Sequence, residues 1–414
     1  MKIVGILTEF HPFHSGHAFF LRELREQCGE DTGIVCVMSG NFVQRGAPAM
    51  LPKEVRAEAA LRGGADLVIE LPVARALSSA EGFAEGAVSL MKAMGCVTHL
   101  GFGSECGDAA ALRRVAHCLL SEEYQRELRD TLKSGASFAA CRQKAAEALL
   151  APEDAALLSQ ANNNLGVEYL KAVQKLAFPC DVLTVKRRGA GHDSDRREEY
   201  LSGSAVRTLL ETGDWDAVRD AVPAESLSLY RCAFESGTAP VTLQSMEQLL
   251  LARVRTMEEA DWAVLPDCSE GLHHRFYQAA QKAVSVEELL AQVKTKRYAY
   301  ARLRRILMCA LLDIDHAASA EQPAYLRVLG CTARGRTVLA QMRKTAQLPV
   351  LVKPADVKKM SEQARIQFLR EVKATEYCRL SGPAWRNARP GQEWRMGPVI
   401  LGKNTNDGEK GRKH

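Results

Sequence analysis

His14 and His17 flank Gly16 in the run His11-Pro12-Phe13-His14-Ser15-Gly16-His17. Two imidazoles three residues apart, where a loop becomes a helix, can face one guest. The first turn of a helix adds unpaired backbone N–H groups and the positive end of its dipole, so an anion suits the place. Gly16 leaves room for a phosphate to approach the backbone, and a phosphoanhydride is the natural occupant. A metal needs more ligands than the two that an HxxH spacing supplies, and no third is well placed, so no metal site is assigned. The plainer alternative is a pair of surface or capping histidines.

Five further stretches carry chemistry-bearing side chains at positions that read as strand or helix ends. The loop 39–46, with two glycines, two amides and Arg45, reads as a second phosphate or substrate wall. Gly103 lies in a glycine-bearing strand end, and Asn162, Asn163 and Asn164 precede a helix, either capping it or offering amides to a base or ribose. Lys186, Arg187 and Arg188 are consecutive cations after a strand. Ser202-Gly203-Ser204 opens a helix with Arg207 one turn in, again presenting N–H groups and a guanidinium to phosphate.

The elements that must position these groups alternate. Apolar, β-branched runs predict strands at 3–7, 34–38, 67–71, 97–105 and 181–185, with helices between them. Pro52 opens one helix, and Ser78 with Glu81 is expected to form a capping box for another that Gly95 closes. Strands alternating with helices predict an α/β fold with a Rossmann-like, doubly wound parallel sheet, and such sheets bind ligands outside the carboxyl ends of their strands. Residues 108–160 read as an inserted helical pair.

Composition narrows the class. The 414 residues suggest two or three domains, and 46% hydrophobic with 25% charged residues is ordinary for a soluble globular chain. No apolar run approaches the ~18–20 residues that span a bilayer, so no membrane partner is expected. A motif-bearing strand at residue 3 argues against a signal peptide. Twelve cysteines without a CxxC pair read as reduced thiols of a cytoplasmic protein. The net charge of +5 permits a nucleic-acid partner without requiring one.

The HxGH pattern resembles the signature of the nucleotidyltransferase superfamily. Residues 3–20, 37–46, 102–105, 162–170, 185–187, 202–207, 267–272, 294–298 and 325–330 together resemble the tRNA(Met) cytidine acetate ligases, nearly end to end. The chain departs from that family's pattern at Phe10 and His11. The resemblance implies an enzyme in which acetate attacks the α-phosphorus of ATP to give acetyl-adenylate. The acetyl group then passes to the wobble cytidine of elongator tRNA(Met), forming N(4)-acetylcytidine. It implies that His14 and His17 stabilise charge on the phosphates. It also implies ATP contacts from Leu7, Thr8, Glu9, Phe10, His11, Pro12, Phe13, His14, Ser15, Gly16, His17, Ala18, Phe19 and Phe20, and from Gly103, Asn162, Asn163, Arg187, Arg188, Ser202 and Arg207. Magnesium is expected with ATP, without an assignable carboxylate ligand. Two alternatives are a small-molecule adenylyltransferase and an RNA-binding factor that uses ATP as a structural ligand.

The expected organisation is an ATP-binding domain over 1–210, a helical tRNA-binding domain over 211–320, a small α/β region over 321–401 and a disordered tail over 402–414. An apolar stripe at Leu303, Ile306, Leu307, Ala310 and Leu311 docks a helix beside Lys294, Lys296, Arg297, Arg302 and Arg305. These cations are expected to meet tRNA phosphates, with Tyr298 and Tyr300 available for stacking. The alternative is a lysine loop at Lys294 and Lys296 that reaches back to pyrophosphate. Oligomeric state is left open.

Overall fold

The computed structural model describes residues 1–187 and 200–402. Arg188 and the tail after Gly402 lie outside the described residues. The strands are β1 (Ile3–Thr8), β2 (Gly33–Ser39), β3 (Phe42–Val43), β4 (Ala47–Pro48), β5 (Leu67–Leu71), β6 (His99–Ser104), β7 (Asp181–Lys186), β8 (Leu326–Cys331), β9 (Val350–Leu351) and β10 (Val399–Ile400).

The first five long strands form the expected parallel core in the order β5-β2-β1-β6-β7. Every residue of β2 and β5 is buried, as continuous apolar runs covered on both faces must be. β1 sits in the middle, with Thr8 opposite Met38 of β2 and Ile6 opposite Gly101 of β6. The chain winds outward from β1 to β2 and β5, then returns to β6 on the other side. The crevice beyond the carboxyl ends of β1 and β6 is therefore a topological switch point. The His14–His17 loop follows β1 directly into it.

Residues 321–401, expected as a small α/β region, contribute to this same sheet. β8 pairs antiparallel with β5 through an irregularity at Val68/Ile69, and β9 and β10 pair with β8. The full sheet is thus mixed, with its parallel core intact. The insertion holds four helices rather than a pair: Ala109–Leu120, Glu122–Leu132, Phe138–Glu147 and Pro152–Ala156. The helix Ala80–Met94 is capped by Ser79, which accepts from Gly82 N–H at 3.3 Å, and not by the expected Ser78–Glu81 box. Ser78 instead donates its hydroxyl to Arg75 O at 2.7 Å, closing the short helix Val73–Ala76.

Between Trp215 and Ala320 the described chain is helical. Its core is built on Trp262 stacked over Phe276, with centroids 4.8 Å apart, and on the stripe Leu303, Ile306, Leu307, Ala310 and Leu311, all buried. That core continues without a break onto Phe42 of β3, Val73 and Leu77, and Ala374 and Cys378 of the helix Glu362–Leu380. The helical region therefore packs directly on the loops at the crevice's edge.

Candidate active site

His14 is the N-cap of the helix Ser15–Cys28, and His17 is its third residue. Gly16 N–H donates to His14 Nδ1 at 3.1 Å, and His14 N–H donates to His17 Nδ1 at 3.3 Å. This is a reciprocal capping box made of two imidazoles. The capping reading and the catalytic reading are thus the same geometry. Each Nδ1 is an acceptor, so in the neutral ring the proton sits on Nε2, and both rings present an Nε2–H donor. The rings are tilted 34° with centroids 3.9 Å apart, and Phe10 and Phe13 wall His17 at 5.0 and 5.7 Å.

Burial, reinforced by Arg187, pulls His14 down to about 4. Burial, then His14 and Arg187, pull His17 well below its ordinary value. Both are neutral donors at pH 7. The first-turn amides are not free as expected: Gly16 N–H is taken by His14, and His17 N–H donates to His14 O at 2.8 Å. The helix start therefore offers its positive character through the imidazoles. Gly16 serves the same arrangement, because a Cβ there would stand 2.9 Å from the His14 ring. The room it leaves is for the ring.

The loop before the pair is held from below. Arg56, fully buried on the helix Lys53–Arg62, donates to Glu9 O at 2.5 Å, Leu51 O at 3.2 Å and Ser39 O at 3.2 Å, and also to Gly40 O. Tyr230 donates to Phe13 O at 2.6 Å, and Arg207 donates to His11 O at 2.6 Å. Gln44 N–H donates to Glu9 Oε1 at 2.6 Å, joining the 39–46 loop to this one. Burial raises the Glu9 carboxyl and lowers His11 well below its usual value. Arg56 and Tyr230 were not foreseen, since a lone arginine or tyrosine on an amphipathic helix gives no spacing signal. The hydroxyls of Thr8 and Ser39, at adjacent strand ends, are buried without a partner among the described residues. Such groups at a crevice floor are places for a ligand or water.

Across the crevice, Asn162 Nδ2 donates to Glu105 Oε1 at 2.7 Å and Asn163 N–H to Glu105 Oε2 at 2.7 Å. Partial burial alone would raise Glu105; these donors outweigh it and hold the carboxyl below its ordinary value. Asn163 is buried, and its Oδ1 accepts from Glu105 and Cys106 N–H while its Nδ2 donates to Gln160. Its side chain is committed to holding the strand end on the helix, whereas Asn162 Oδ1 receives Arg187 at 3.3 Å. Arg187 continues the β6–β7 ladder by donating its N–H to Ser104 O at 2.9 Å, and its exposed guanidinium faces the histidines. Ser202 caps the helix Gly203–Thr212, and Gly203 lies against His11 O and the His14 ring. His14, His17, Gly103, Asn162, Arg187, Ser202 and Arg207 thus rim one crevice. Phe19 and Phe20 pack into the core beneath it.

The basic stretch divides. Arg305 is buried and donates to Asp267 Oδ2 at 2.9 Å, and Arg302 donates to Asp267 O and Ser269 Oγ at 2.8 and 3.1 Å. Tyr298 is buried with its hydroxyl on Glu270 O at 3.2 Å, which suits core packing rather than stacking. Lys296 and Arg297 are exposed, and Lys294 lies over the exposed Tyr300 ring at 5.4 Å. Among the described residues no cluster of histidine, cysteine or acid side chains could hold a metal, and no helix is long and apolar enough to cross a membrane.

The sequence profile of the HIGH Nucleotidyl Transferase family matches residues 1–392. A tRNA(Met) cytidine acetate ligase from Caldanaerobacter subterraneus subsp. tengcongensis is 38% identical over 387 residues, 92% of this chain and 96% of that protein. One from Thermotoga maritima is 35% identical over 414 residues, 95% of this chain and 99% of that protein. Crystal structures of Thermotoga maritima TmcAL, apo and bound with alpha-thio ATP, match with TM-scores of 0.91 and 0.90. Both are 34% identical and cover 97% of this chain and 100% of theirs. With the histidine pair at the switch point of a sheet shared with these proteins, the chain belongs to the HIGH nucleotidyl transferase family and, within it, to the tRNA(Met) cytidine acetate ligases.

Proposed function

We propose that this protein activates acetate with ATP and transfers the acetyl group to the exocyclic amine of the wobble cytidine in elongator tRNA(Met). The carrying observation is the pair of neutral Nε2–H donors at the switch point, with Arg187 facing them. In the first half-reaction an acetate oxygen attacks the α-phosphorus, and the bond from that phosphorus to the α,β-bridging oxygen breaks, releasing pyrophosphate. The chain supplies no nucleophile; it orients ATP and neutralises the charge that develops on the phosphate oxygens. His14 and His17 donate to those oxygens, and Arg187 and Arg207 clamp the leaving pyrophosphate, with Arg188 as a further clamp. Neutral imidazoles suit this task because their protons are held in place and need no prior uptake. In the second half-reaction the cytidine amine attacks the acetyl carbonyl and AMP leaves.

Residues 7–18 with Gly103, Asn162 and Ser202 form the ATP walls, Phe19 and Phe20 back them from the core, and Asn163 acts by positioning Glu105 and Asn162. Magnesium enters with ATP as its counter-ion. Residues 1–210 perform adenylation, and 211–320 present Lys294, Lys296 and Arg297 to tRNA phosphates. Arg302 and Arg305 shape that surface through Asp267 and Ser269. The twelve unpaired cysteines suit a cytoplasmic enzyme. Labelled acetate, ATP and bulk tRNA provide the test. Label on tRNA is expected. An adenylated small molecule with no labelled tRNA would favour an adenylyltransferase, and no ATP turnover would leave only an RNA-binding role.

A further inference from the structure

Arg45 stands at the tip of the β3–β4 hairpin, between Gln44, which is tied to Glu9, and Gly46. Gly46 has φ +72°, and a Cβ there would lie 2.6 Å from Arg304 C and 2.8 Å from Arg304 Cβ. Only a glycine lets the hairpin tip rest on the backbone of the helix Tyr300–Leu312. The contact fixes Arg45 and Arg304 relative to each other, although 258 residues separate them in the chain.

The two side chains share a condition that their neighbours do not. On the same helix, Arg302 and Arg305 are occupied by Asp267 and Ser269. Arg304 has no acceptor among the described residues, and its Nε is buried and unsatisfied; the Nε of Arg305 is unsatisfied too, but that guanidinium is anchored on Asp267. Arg45 is exposed and likewise has no acceptor among the described residues. Arg304 is lowered by burial and then by the charge of Arg45, and Arg207 is lowered by burial, with Arg45 adding to the shift and Glu9 and Glu211 opposing it. Like charges held together with a buried N–H left open are costly unless an anion completes them.

We infer that Arg45 and Arg304 together grip one phosphodiester group of an RNA at the mouth of the crevice. The choice of RNA rests on the proposed function: a nucleotide that offers its base to the crevice from outside leaves its sugar and phosphate at the rim. The hairpin tip, tied through Gln44 to the half-buried Glu9 of the histidine loop, belongs to that rim. The other source of the same chemistry is the triphosphate or pyrophosphate of ATP, and the test separates the two.

Arg45→Gln, Arg304→Gln and the double variant are assayed for binding of purified elongator tRNA(Met) over a range of salt, and for acetate-dependent exchange of labelled pyrophosphate into ATP. Each single variant is expected to weaken tRNA binding about tenfold, as loss of a charge-assisted hydrogen bond does. The double should be little worse than either, because both act on one phosphate. Its log–log salt slope should fall by about 0.7–0.9, the value for a single contact. Exchange should fall at least tenfold less than tRNA acetylation. A loss concentrated in exchange, with tRNA affinity retained, would assign the pair to ATP and overturn the inference. Additive losses with a slope change of two contacts would overturn the shared phosphate, and unaltered binding and exchange would overturn the site. If Arg304→Gln lowers the melting temperature, Arg45→Glu on the exposed partner carries the test alone. Wild-type protein that binds tRNA but shows no exchange would refute the proposed function without touching this binding result.

Discussion

Lys53 is completely buried behind β5, 2.6 Å from Glu70 and 2.8 Å from Glu393. Arg45, eight positions earlier in the chain, is exposed and meets no acid among the described residues. Around Lys53 the buried charges pair with one another: Thr375 donates to Glu393 at 2.6 Å, Arg327 lies 3.6 Å from it, and Val73 N–H donates to Glu371 at 2.6 Å, while Glu70 Oε2, Glu371 Oε2, Glu393 Oε1 and Arg327 Nε keep no hydrogen-bond partner among the described residues. Burial and the neighbouring Glu70 push Glu371 well above the carboxylate range, and burial raises Glu70 too, against the pull of Lys53. This cluster ties the helix Glu362–Leu380 to the sheet, and Asn41 donating to Thr375 at 2.8 Å links it to the 39–46 loop. Around the crevice, by contrast, Arg45, Arg187 and Arg304 keep donors open and the histidines keep their Nε2–H groups. The same residue types are paired charge to charge in the Lys53 cluster and stand without an opposite charge at the crevice, where the proposed chemistry would use them.

Breaking the buried ion pairs has the largest effect. Lys53→Ala leaves Glu70 and Glu393 buried without their cation, and stability in denaturant titration should fall by about 3–5 kcal/mol. A loss under ~1 kcal/mol would mean the cluster does not hold the C-terminal helix. On the open side, His17→Ala should lower acetate-dependent pyrophosphate exchange by roughly 10²–10³ while costing only about 1 kcal/mol of stability through the lost cap. Exchange at the wild-type rate would return the pair to capping alone.

Acid sharpens the contrast. His11, His14 and His17 titrate below 6.5 in the folded chain, so the unfolded chain binds protons more readily. Their contribution to stability is complete above pH 6.5 and is lost as pH falls toward the folded value of about 4 for His14. By pH 5.5 this costs about 1 kcal/mol for His14, and thermal melts of His14→Gln should lose less between pH 7 and 5.5 than wild type. An identical pH dependence in both would show that His14 is not held neutral. The smallest effect concerns Lys294→Ala with Lys296→Ala. It should shallow the salt dependence of tRNA binding by about 0.7–0.9 per contact and spare exchange. Failed exchange with intact tRNA affinity would assign these lysines to pyrophosphate.

Periodicity and turn chemistry made the parallel core and the switch-point loop legible, because apolar runs and glycine-bearing ends are local signals. What lay beyond reach was set by tertiary partners. Nothing in 326–331 says that β8 will run antiparallel to a strand some 260 residues earlier. Ser78 and Ser79 are equally good caps in sequence, and the short helix before them decides between them. Arg305 reads like Lys296 until Asp267 is placed beside it, and Asn163 reads like Asn162 until Glu105 and Cys106 claim its side chain. Within the site, the histidine pair was legible as a pair, while its reciprocal cap and fixed proton positions were not.

Those proton positions can be read directly. In ¹⁵N-histidine-labelled protein, with His14→Gln and His17→Gln used to assign the signals, imidazole nitrogen shifts at pH 6 report where each proton lies. Neutral rings with protonated Nε2 and bare Nδ1 are expected for both residues, unchanged down to about pH 5 for His14. Rings that charge near pH 6.5, or that carry their proton on Nδ1, would contradict a site built on two fixed neutral donors.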